Sequence, residues 1–126
     1  MRRSWIGLAM LVVLLAASLL VTWGMDRIHD PIAQKLEDAA DYALAGDWDR
    51  AASLASGAGT DWKKWAHFRG CFADHSPMEE IDAGFAELEV YSITREATDF
   101  AASCGSLARK VSAVGEAHNL VWWNLF

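Results

Sequence analysis

The sequence predicts an all-α protein in which an N-terminal transmembrane helix is followed by a small bundle of about five helices. Three observations lead to this prediction. Residues 5–24 include no charged side chain, apolar residues then recur at helical spacing along the rest of the chain, and no comparable stretch alternates as a half-buried strand would. The bundle is expected to be built of helical hairpins.

The uncharged stretch has the length of a membrane span. Its 20 residues would form a helix about 30 Å long, which is the thickness of the hydrocarbon core of a bilayer. A core helix of a soluble protein would carry a polar stripe where it meets water, and this stretch has none. Trp5 and Trp23 stand at its ends, where indole rings prefer the headgroup zone. We therefore predict a transmembrane helix over residues 5–25, with the lipid bilayer as its partner.

A cleaved secretory signal is the alternative interpretation of this segment. Arg2 and Arg3 precede the apolar run, and the small residues 16–18 lie within it. The apolar core of a signal peptide spans about 7 to 15 residues and ends at a small-residue cleavage site, whereas residues 19–21 continue the hydrophobicity past the small cluster. The length of the run therefore favours a retained anchor over a domain released by cleavage.

The charges beside the span predict its orientation. Arg2 and Arg3 stand on the N-terminal side, whereas residues 26–30 carry one cation against two anions. Because positive residues stay on the cytoplasmic side, residues 1–4 are expected in the cytoplasm and residues 26–126 outside it. The predicted location is the cell membrane, with a single span.

The C-terminal part has the size and charge of one acidic domain. Its 101 residues are enough for one modest core and too few for two. Without Arg2 and Arg3, 9 basic residues remain against 17 acidic ones, a net charge of −8. Such a surface repels nucleic acid and anionic headgroups, so no nucleic-acid partner is expected.

The first half of this domain is predicted to form three helices. Asp30-Pro31 is typical of a helix start, with Asp as N-cap and Pro at the first helical position, and helical spacing then continues to Gly46-Asp47. A short second helix would follow and end at Gly57 and Gly59. A third would begin at residue 60 or 61, with an aromatic face made of Trp62, Trp65, Phe68 or Arg69, and Phe72.

The second half is predicted to form two helices. Ser76-Pro77-Met78-Glu79 combines an N-cap serine, a proline at the first helical position and a glutamate that completes a capping box. The helix that it opens carries a packing seam at Met78, Ile81, Phe85, Leu88 and Ser92. The last helix runs from about Ala97 to Leu120, with an apolar stripe at Phe100, Cys104, Leu107, Val111, Val114, His118 and Val121.

A weak internal repeat relates the two halves of the domain. At an offset of 49 residues, the segment from Tyr42 to Ala52 aligns with the segment from Tyr91 to Ala101. Helix, acidic turn and a second helix with small residues is how hairpin repeats such as tetratricopeptide units are built. Two copies at this period do not predict a solenoid.

The sequence contains no catalytic or nucleotide-binding motif. The alternative functional hypothesis is a metal-binding protein or metal-dependent hydrolase that uses His75, Glu79 and Glu80, with Asp82 nearby. Helical ligands should fall three or four residues apart on one face, and Ser76-Pro77 places His75 before the helix. An exposed acidic helix start is therefore favoured. We expect a non-enzymatic protein without a metal or cofactor.

Two cysteines, Cys71 and Cys104, leave two interpretations open. They do not form a C-x-x-C metal motif, and a disulfide between them would be compatible with a domain outside the cytoplasm. Because each lies among apolar residues of a predicted helix, buried free thiols are favoured.

The C-terminal end is apolar, although chain ends usually tolerate polar residues. Trp122 and Trp123 must be buried, meet the membrane interface or form a partner surface. Burial with partial exposure to a partner is favoured over contact with the membrane. Together with Glu79, Glu80 and Glu87, the two tryptophans make up the candidate partner surface.

The combined pattern resembles a known family. It includes Gly46-Asp47-Trp48, Trp62 and Trp65, the block HSPMEEID at 75–82, Phe85-Ala-Glu-Leu and the Asn-Leu-Phe end. These features resemble a family of small, single-pass, membrane-anchored helical proteins of Gram-positive, mostly clostridial and bacillar, bacteria, known as a domain of unknown function. The resemblance implies an extracytoplasmic helical domain that operates beside another membrane protein, and it implies no catalytic residues.

One position departs from the family pattern. Residues 94–96 read Thr-Arg-Glu, where the resemblance implies a second Gly-Asp-like turn. A tighter or differently capped connection between the last two helices is therefore expected. The resulting functional expectation for the whole chain is a membrane-tethered, non-enzymatic helical interaction module that serves as an accessory partner of another membrane or envelope protein.

Overall fold

The computed structural model describes the backbone of residues 1–66 and 75–124 and, within them, the side chains of residues 1–24, 27–66 and 77–115. This part of the chain forms four helices: α1 (Arg2–Leu44), α2 (Trp48–Lys64), α3 (His75–Thr94) and α4 (Ala97–Asn124). The described residues contain no strand, and the prediction of an all-α fold is confirmed.

The second half of α1 and the three later helices form a four-helix bundle. α1 packs against α2 and α4, and α3 packs against α4 and α2. Apolar side chains spaced three or four residues apart turn one stripe of each helix inward, where burial stabilises the bundle. The buried core draws on all four helices and includes Ile32, Leu36, Ala39, Ala51, Ala58, Trp62, Ile81, Leu88, Phe100, Cys104, Leu107 and Val111.

In the described part of the chain the predicted five bundle helices are not confirmed, and the helix boundaries differ from the predicted ones at two places, the first of which is Asp30-Pro31. α1 runs from the apolar N-terminal segment through Pro31 without interruption, so the predicted helix start at this position is wrong. Proline cannot donate a backbone hydrogen bond to the preceding turn. Ile32 and Ala33, which follow it, are buried in the bundle, and this packing holds the chain in one helix across the proline.

The second difference is that Gly57 and Gly59 do not end a helix, because α2 passes through both. At Gly59, an added Cβ would lie 3.4 Å from Cδ1 of Phe85, an ordinary van der Waals contact, so α2 and α3 face each other at this position. The predicted second and third helices are therefore one. Phe68, Arg69 and Phe72, which were assigned to the third, lie outside the described residues.

The predicted packing stripes of α3 and α4 are confirmed. In α3, Ile81 and Leu88 are buried and Met78 and Phe85 pack half-buried beside them. α3 begins one residue before the predicted N-cap Ser76, and α4 extends four residues past the predicted end at Leu120. The buried stripe of α4 is Phe100, Cys104, Leu107, Val111 and Val114; the side chains of Ser76, His118 and Val121 are outside the described set.

The turn between α1 and α2 has the hydrogen bonds of a Schellman motif. Gly46 has φ +83°, its N–H donates to the carbonyl of Ala43 at 3.1 Å, and the Asp47 N–H donates to the carbonyl of Tyr42 at 2.9 Å. The Asp47 carboxylate then accepts the Arg50 N–H at 3.3 Å as the N-cap of α2. The predicted break at Gly46-Asp47 is confirmed. The positive φ of Gly46 ends α1, and the carboxylate of Asp47 caps the start of α2.

The turn between α3 and α4 repeats this geometry, with Arg95 in the place of Gly46. Arg95 has φ +56°, and the Glu96 N–H donates to the carbonyl of Tyr91 at 3.4 Å. The connection is therefore as long as the first turn and not tighter. Its acidic residue behaves differently, because a side-chain hydrogen bond with Asp99 raises the pKa of Glu96.

The repeat extends from the turns into the core. Pairs of positions 49 residues apart are buried on corresponding helices: Ile32 and Ile81, Ala39 and Leu88, Ala51 and Phe100, Ala55 and Cys104, Ala58 and Leu107, Trp62 and Val111. The two hairpins of the bundle, α1–α2 and α3–α4, are therefore equivalent in register. The weak repeat in the sequence is a repeat of structure.

Because the two turns are equivalent, substitutions at their positive-φ positions, Gly46 and Arg95, should change the free energy of unfolding in opposite directions. Arg95→Gly should raise the free energy of unfolding by about 0.5–1 kcal/mol, because it relieves the strain of a side chain at positive φ, in part offset by the greater freedom of glycine in the unfolded chain. Gly46→Ala should lower it by about 1 kcal/mol for the converse reason. Denaturant unfolding of the full chain in detergent, followed by circular dichroism, measures both; changes of the same sign would contradict the equivalence.

Candidate functional site

The first half of α1 is an exposed apolar helix. Among the described helices, α1 is the one that is long and apolar enough to cross a membrane. Each of its large apolar side chains from Trp5 to Trp23 is at least 39 % exposed, so this half packs against no other described part of the chain. The Arg27 guanidinium lies 4.3 Å from the centroid of the Trp23 ring and marks the polar end of the apolar segment.

The bundle is attached to the apolar segment by the helix itself and not by a loop. Packing begins within two turns of Trp23, where His29 is buried and its ring meets the Trp62 ring with centroids 6.1 Å apart. Because α1 is one uninterrupted helix from Arg2 to Leu44, the direction and height of the bundle relative to the apolar segment are set by helix geometry.

A groove of about 870 Å³ runs between α2 and α3. Its wall on α3 extends from Met78 to Ser92, which corresponds to a length of about 20 Å at helical rise. Small residues of α2 leave the space open, and side chains of α3 form the opposite wall. Its lining residues on α2 include Ala52, Ala55, Ser56, Gly59 and Lys63, and those on α3 include Met78, Glu79, Phe85 and Glu89.

Trp62 lines the part of the groove that lies nearer the apolar segment. Its Nε1–H donates to Oδ1 of Asp82 at 2.7 Å, and its ring lies against the Phe85 ring with centroids 6.4 Å apart. The indole is 2 % exposed and touches His29 of α1 as well. One residue thus joins α1, α2 and α3 at the base of the groove.

The groove has an excess of negative charge. Among the described residues that line it, three carry a carboxylate, Glu79, Asp82 and Glu89, and one, Lys63, carries an ammonium group. Its floor between these groups is apolar and includes Ala55 and Leu88. The arrangement suits a ligand that presents apolar groups to the floor and positive charge to the rim.

The three glutamates predicted as a partner surface occupy different surroundings. Glu79 lines the groove. Glu80 points to α4, with Oε2 3.9 Å from Nζ of Lys110. Glu87 accepts the hydroxyl of Tyr91 at 2.9 Å, and this hydrogen bond raises the pKa of Tyr91. The structure therefore groups Glu79 with Asp82 and Glu89, while the side chains of Trp122 and Trp123 are outside the described residues.

The metal-site hypothesis keeps its status as a prediction. The expectation that His75 precedes the helix is wrong, because α3 begins at this residue. The side chain of His75 is outside the described residues, and Glu80 pairs with Lys110 of α4. Where side chains are described, no cluster of three or more His, Cys, Asp or Glu residues could hold a metal ion.

Cys104 is a buried free thiol. Burial raises its pKa to about 12, so the thiol is neutral and a poor nucleophile at physiological pH. The favoured sequence interpretation is confirmed for this cysteine. Cys71 lies outside the described residues.

Comparison with known proteins gives a family without an assigned function. The family model described as "Domain of unknown function (DUF4363)" matches residues 21–125. The match includes the whole bundle and confirms the resemblance to a domain-of-unknown-function family. No curated protein and no solved structure matches the chain.

Proposed function

The chain belongs to the DUF4363 family, and we propose that it is a membrane-tethered, non-enzymatic interaction module, an accessory partner of another membrane or envelope protein. It binds a helical, positively charged segment of that protein in the groove between α2 and α3. The observation that carries this proposal is the groove itself, about 20 Å long, with an apolar floor and an acidic rim.

Anchoring by α1 places the module at the cell membrane. The uncharged and exposed residues 5–24 of α1 cross the bilayer, with Arg2 and Arg3 in the cytoplasm and the acidic bundle outside it. The support is the absence of charge over a length that matches the hydrocarbon core. The uninterrupted α1 holds the groove at a fixed height above the membrane.

The shape of the groove suits a helix. An amphipathic helix binds by laying its apolar face into a groove, with contacts repeated every three or four residues. Ala52, Ser56 and Gly59 lie at this spacing along α2 and offer little side-chain bulk, so a helix backbone can approach closely. About four turns of helix would span the length of the groove.

The negative charge of the groove favours a positively charged partner segment. A segment with lysine or arginine beside its apolar stripe would place these charges against Glu79 and Glu89 at the rim, whereas an acidic segment would be repelled. Because the bundle carries a net charge of −8, long-range attraction favours the same choice.

The direction of the groove relates the partner to the membrane. The groove runs along α2 and α3, which are bundled with the second half of α1, so a helix bound there lies alongside the direction of the span. Trp62 lines the part of the groove that lies nearer the apolar segment. Such an occupant is the membrane-proximal extension of a neighbouring transmembrane helix.

Photocrosslinking of the full chain in its native membranes tests this proposal. A photoreactive amino acid at Glu89, on the rim, should crosslink one membrane protein through a segment rich in Lys or Arg next to its transmembrane helix. Ser56→Trp fills the groove and should abolish this crosslink. Ser53→Trp adds the same side chain at an exposed position of α2 outside the groove lining and should leave the crosslink unchanged.

The proposal fails if the crosslink survives Ser56→Trp, or if both tryptophan variants lose it equally while circular dichroism shows both to be folded. It fails as well if the crosslinked segment is acidic or is distant from a transmembrane helix, because neither result is compatible with an acidic groove that runs along the span.

A further inference from the structure

Contacts at two heights of the bundle fix the register of α4 against α1. An added Cβ on Gly115 would lie 3.5 Å from the Cβ of His29, so these residues are level with each other. Further from the apolar segment, one shallow cavity is lined by Glu37 of α1 together with Ala108, Arg109, Ser112 and Ala113 of α4. Later residues of α1 therefore lie beside earlier residues of α4, so the two helices are antiparallel. Because both helices rise equally per residue, the pairing of His29 with Gly115 can be continued along them one residue at a time.

α4 does not end where the bundle ends. It continues from Gly115 to Asn124, and nine further residues extend it by about 13 Å. Continued in the same register, Trp122 is level with residue 22 or 23 of α1, and Asn124 is level with about residue 20. The last turns of α4 are thus at the height of the final turn of the exposed apolar segment.

The composition of α4 changes over this same stretch. Glu116 is the last charged residue of the chain, and residues 117–126 (AHNLVWWNLF) include no Asp, Glu, Lys or Arg. A helix end that projects into water beyond its bundle would be polar around its circumference. Two tryptophans at one height instead match the aromatic belt of a membrane interface, which Trp23 and Arg27 mark on α1.

We infer that the end of α4, residues 120–124, is a second membrane contact of this chain, seated in the lipid headgroup zone beside α1. The inference rests on the proposed anchoring by α1. The lipid it suits is zwitterionic or neutral, because the bundle carries a net charge of −8 and is repelled by anionic headgroups. A bilayer is favoured over a protein partner for Trp122 and Trp123, since their level on the helix coincides with the apolar segment of α1.

The second contact would restrict the orientation of the bundle relative to the membrane. A single transmembrane helix leaves the bundle free to rotate about the membrane normal and to tilt. Contact by α4, on a different side of the bundle from the groove between α2 and α3, sets the tilt of the bundle and so holds the groove upright against the membrane.

The depth of three nitroxide labels tests the inference in full-length protein reconstituted into phosphatidylcholine vesicles. One label is placed at Asn124→Cys, one at Val12→Cys in the middle of the apolar segment, and one at Ala102→Cys, exposed near the far end of α4. All are made with Cys71→Ser; Cys104 is buried and does not react. Collision rates with oxygen and with a water-soluble nickel complex give the depth of each label.

The label at position 124 should be more accessible to oxygen than to nickel, at a depth between the aqueous label at 102 and the deep label at 12. Substituting Trp122→Ala with Trp123→Ala should raise its nickel accessibility several-fold. Leu44→Ala with Ile93→Ala, which removes two exposed apolar side chains far from the membrane, should leave it unchanged, and circular dichroism checks that both variants are folded.

Each other result overturns the inference in a different way. Nickel accessibility at 124 equal to that at 102, with position 12 still deep, removes the second contact and leaves the anchor intact. Low accessibility of 124 to both reagents means that the helix end is buried in protein. Nickel access at position 12 means that α1 does not span, and the proposed tether fails together with the inference.

Discussion

Replacing Phe100 by alanine is expected to lower the free energy of unfolding of the bundle by about 3–5 kcal/mol. The ring is completely buried and meets the edge of the Trp48 ring with centroids 5.4 Å apart. The substitution leaves a cavity between the two hairpins and removes an aromatic pair worth about 0.5–1.5 kcal/mol beyond its buried area. Small domains are stable by about 5–15 kcal/mol in total, so the variant should be close to unfolding at physiological temperature.

Denaturant unfolding of the full chain in detergent micelles measures this loss. The signal should be the helical circular dichroism that disappears with the bundle, because the apolar half of α1 stays helical inside the micelle. Val90→Ala is the matched control: Val90 is 56 % exposed on α3, and its truncation should change stability by less than about 0.5 kcal/mol. A loss below about 1 kcal/mol for Phe100→Ala would show that α4 does not belong to the cooperative core.

The burial of Phe100 was predictable because it follows from the spacing of apolar residues within α4 alone. Phe100, Cys104, Leu107 and Val111 recur every three or four residues, and in a helix this spacing places them on one stripe. All four are buried. The same reasoning held for Ile81 and Leu88 of α3, so the stripes of the second hairpin followed from spacing alone.

The continuity of α1 could not be predicted in this way, because local signals at residue 30 favour a helix start. Asp30-Pro31 has the N-cap and first-position chemistry of a new helix, and the helix nevertheless continues through Pro31. What decides between the two is the packing of Ile32 and Leu36 against the other helices of the bundle, which no short window of sequence contains.

The groove was missed for a different reason. α2 carries small residues on more than one side: Ala51 and Ala58 are buried in the core, whereas Ala52 and Ser56 line the groove. Small residues on any side indicate close approach, and the sequence does not indicate which side meets a helix of the bundle. From the sequence, Glu79 was placed in a partner surface with Glu80 and Glu87. The grouping of Glu79 with Asp82 and Glu89 could not be predicted, because it depends on the position of α2.

The turn at residues 94–96 illustrates how structure can be repeated without its sequence signal. In the first turn, the residue at positive φ is Gly46, and a glycine indicates such a turn in the sequence. In the second turn the equivalent residue is Arg95, which gives no such indication. The left-handed conformation of a non-glycine residue costs about 1–2 kcal/mol, and the buried side chains on either side, Leu88 and Phe100, outweigh that cost. Tertiary packing thus preserves the repeat where local preference opposes it.

Trp62→Ala is expected to be as destabilising as Phe100→Ala, with a loss of about 3–5 kcal/mol, and also to open the base of the groove. The indole is 2 % exposed and connects three helices, through His29 of α1 and through Asp82 and Phe85 of α3. Its removal takes away the contact that holds α2 to α3 at the end nearer the apolar segment of α1. Crosslinking from position 89 should therefore fall together with stability.

Trp62→Phe separates the two roles of this residue. Phenylalanine keeps most of the packing and loses the Nε1–H that donates to Asp82 at 2.7 Å; a hydrogen bond to a charged group contributes about 1.5–3 kcal/mol, so a loss of about that size is expected. Trp65→Ala, one turn further along the chain and 38 % exposed, provides the comparison and should cost less than about 1 kcal/mol. If Trp62→Phe were as stable as the unchanged protein, the bond to Asp82 would contribute nothing, and packing alone would hold α3 at the base of the groove.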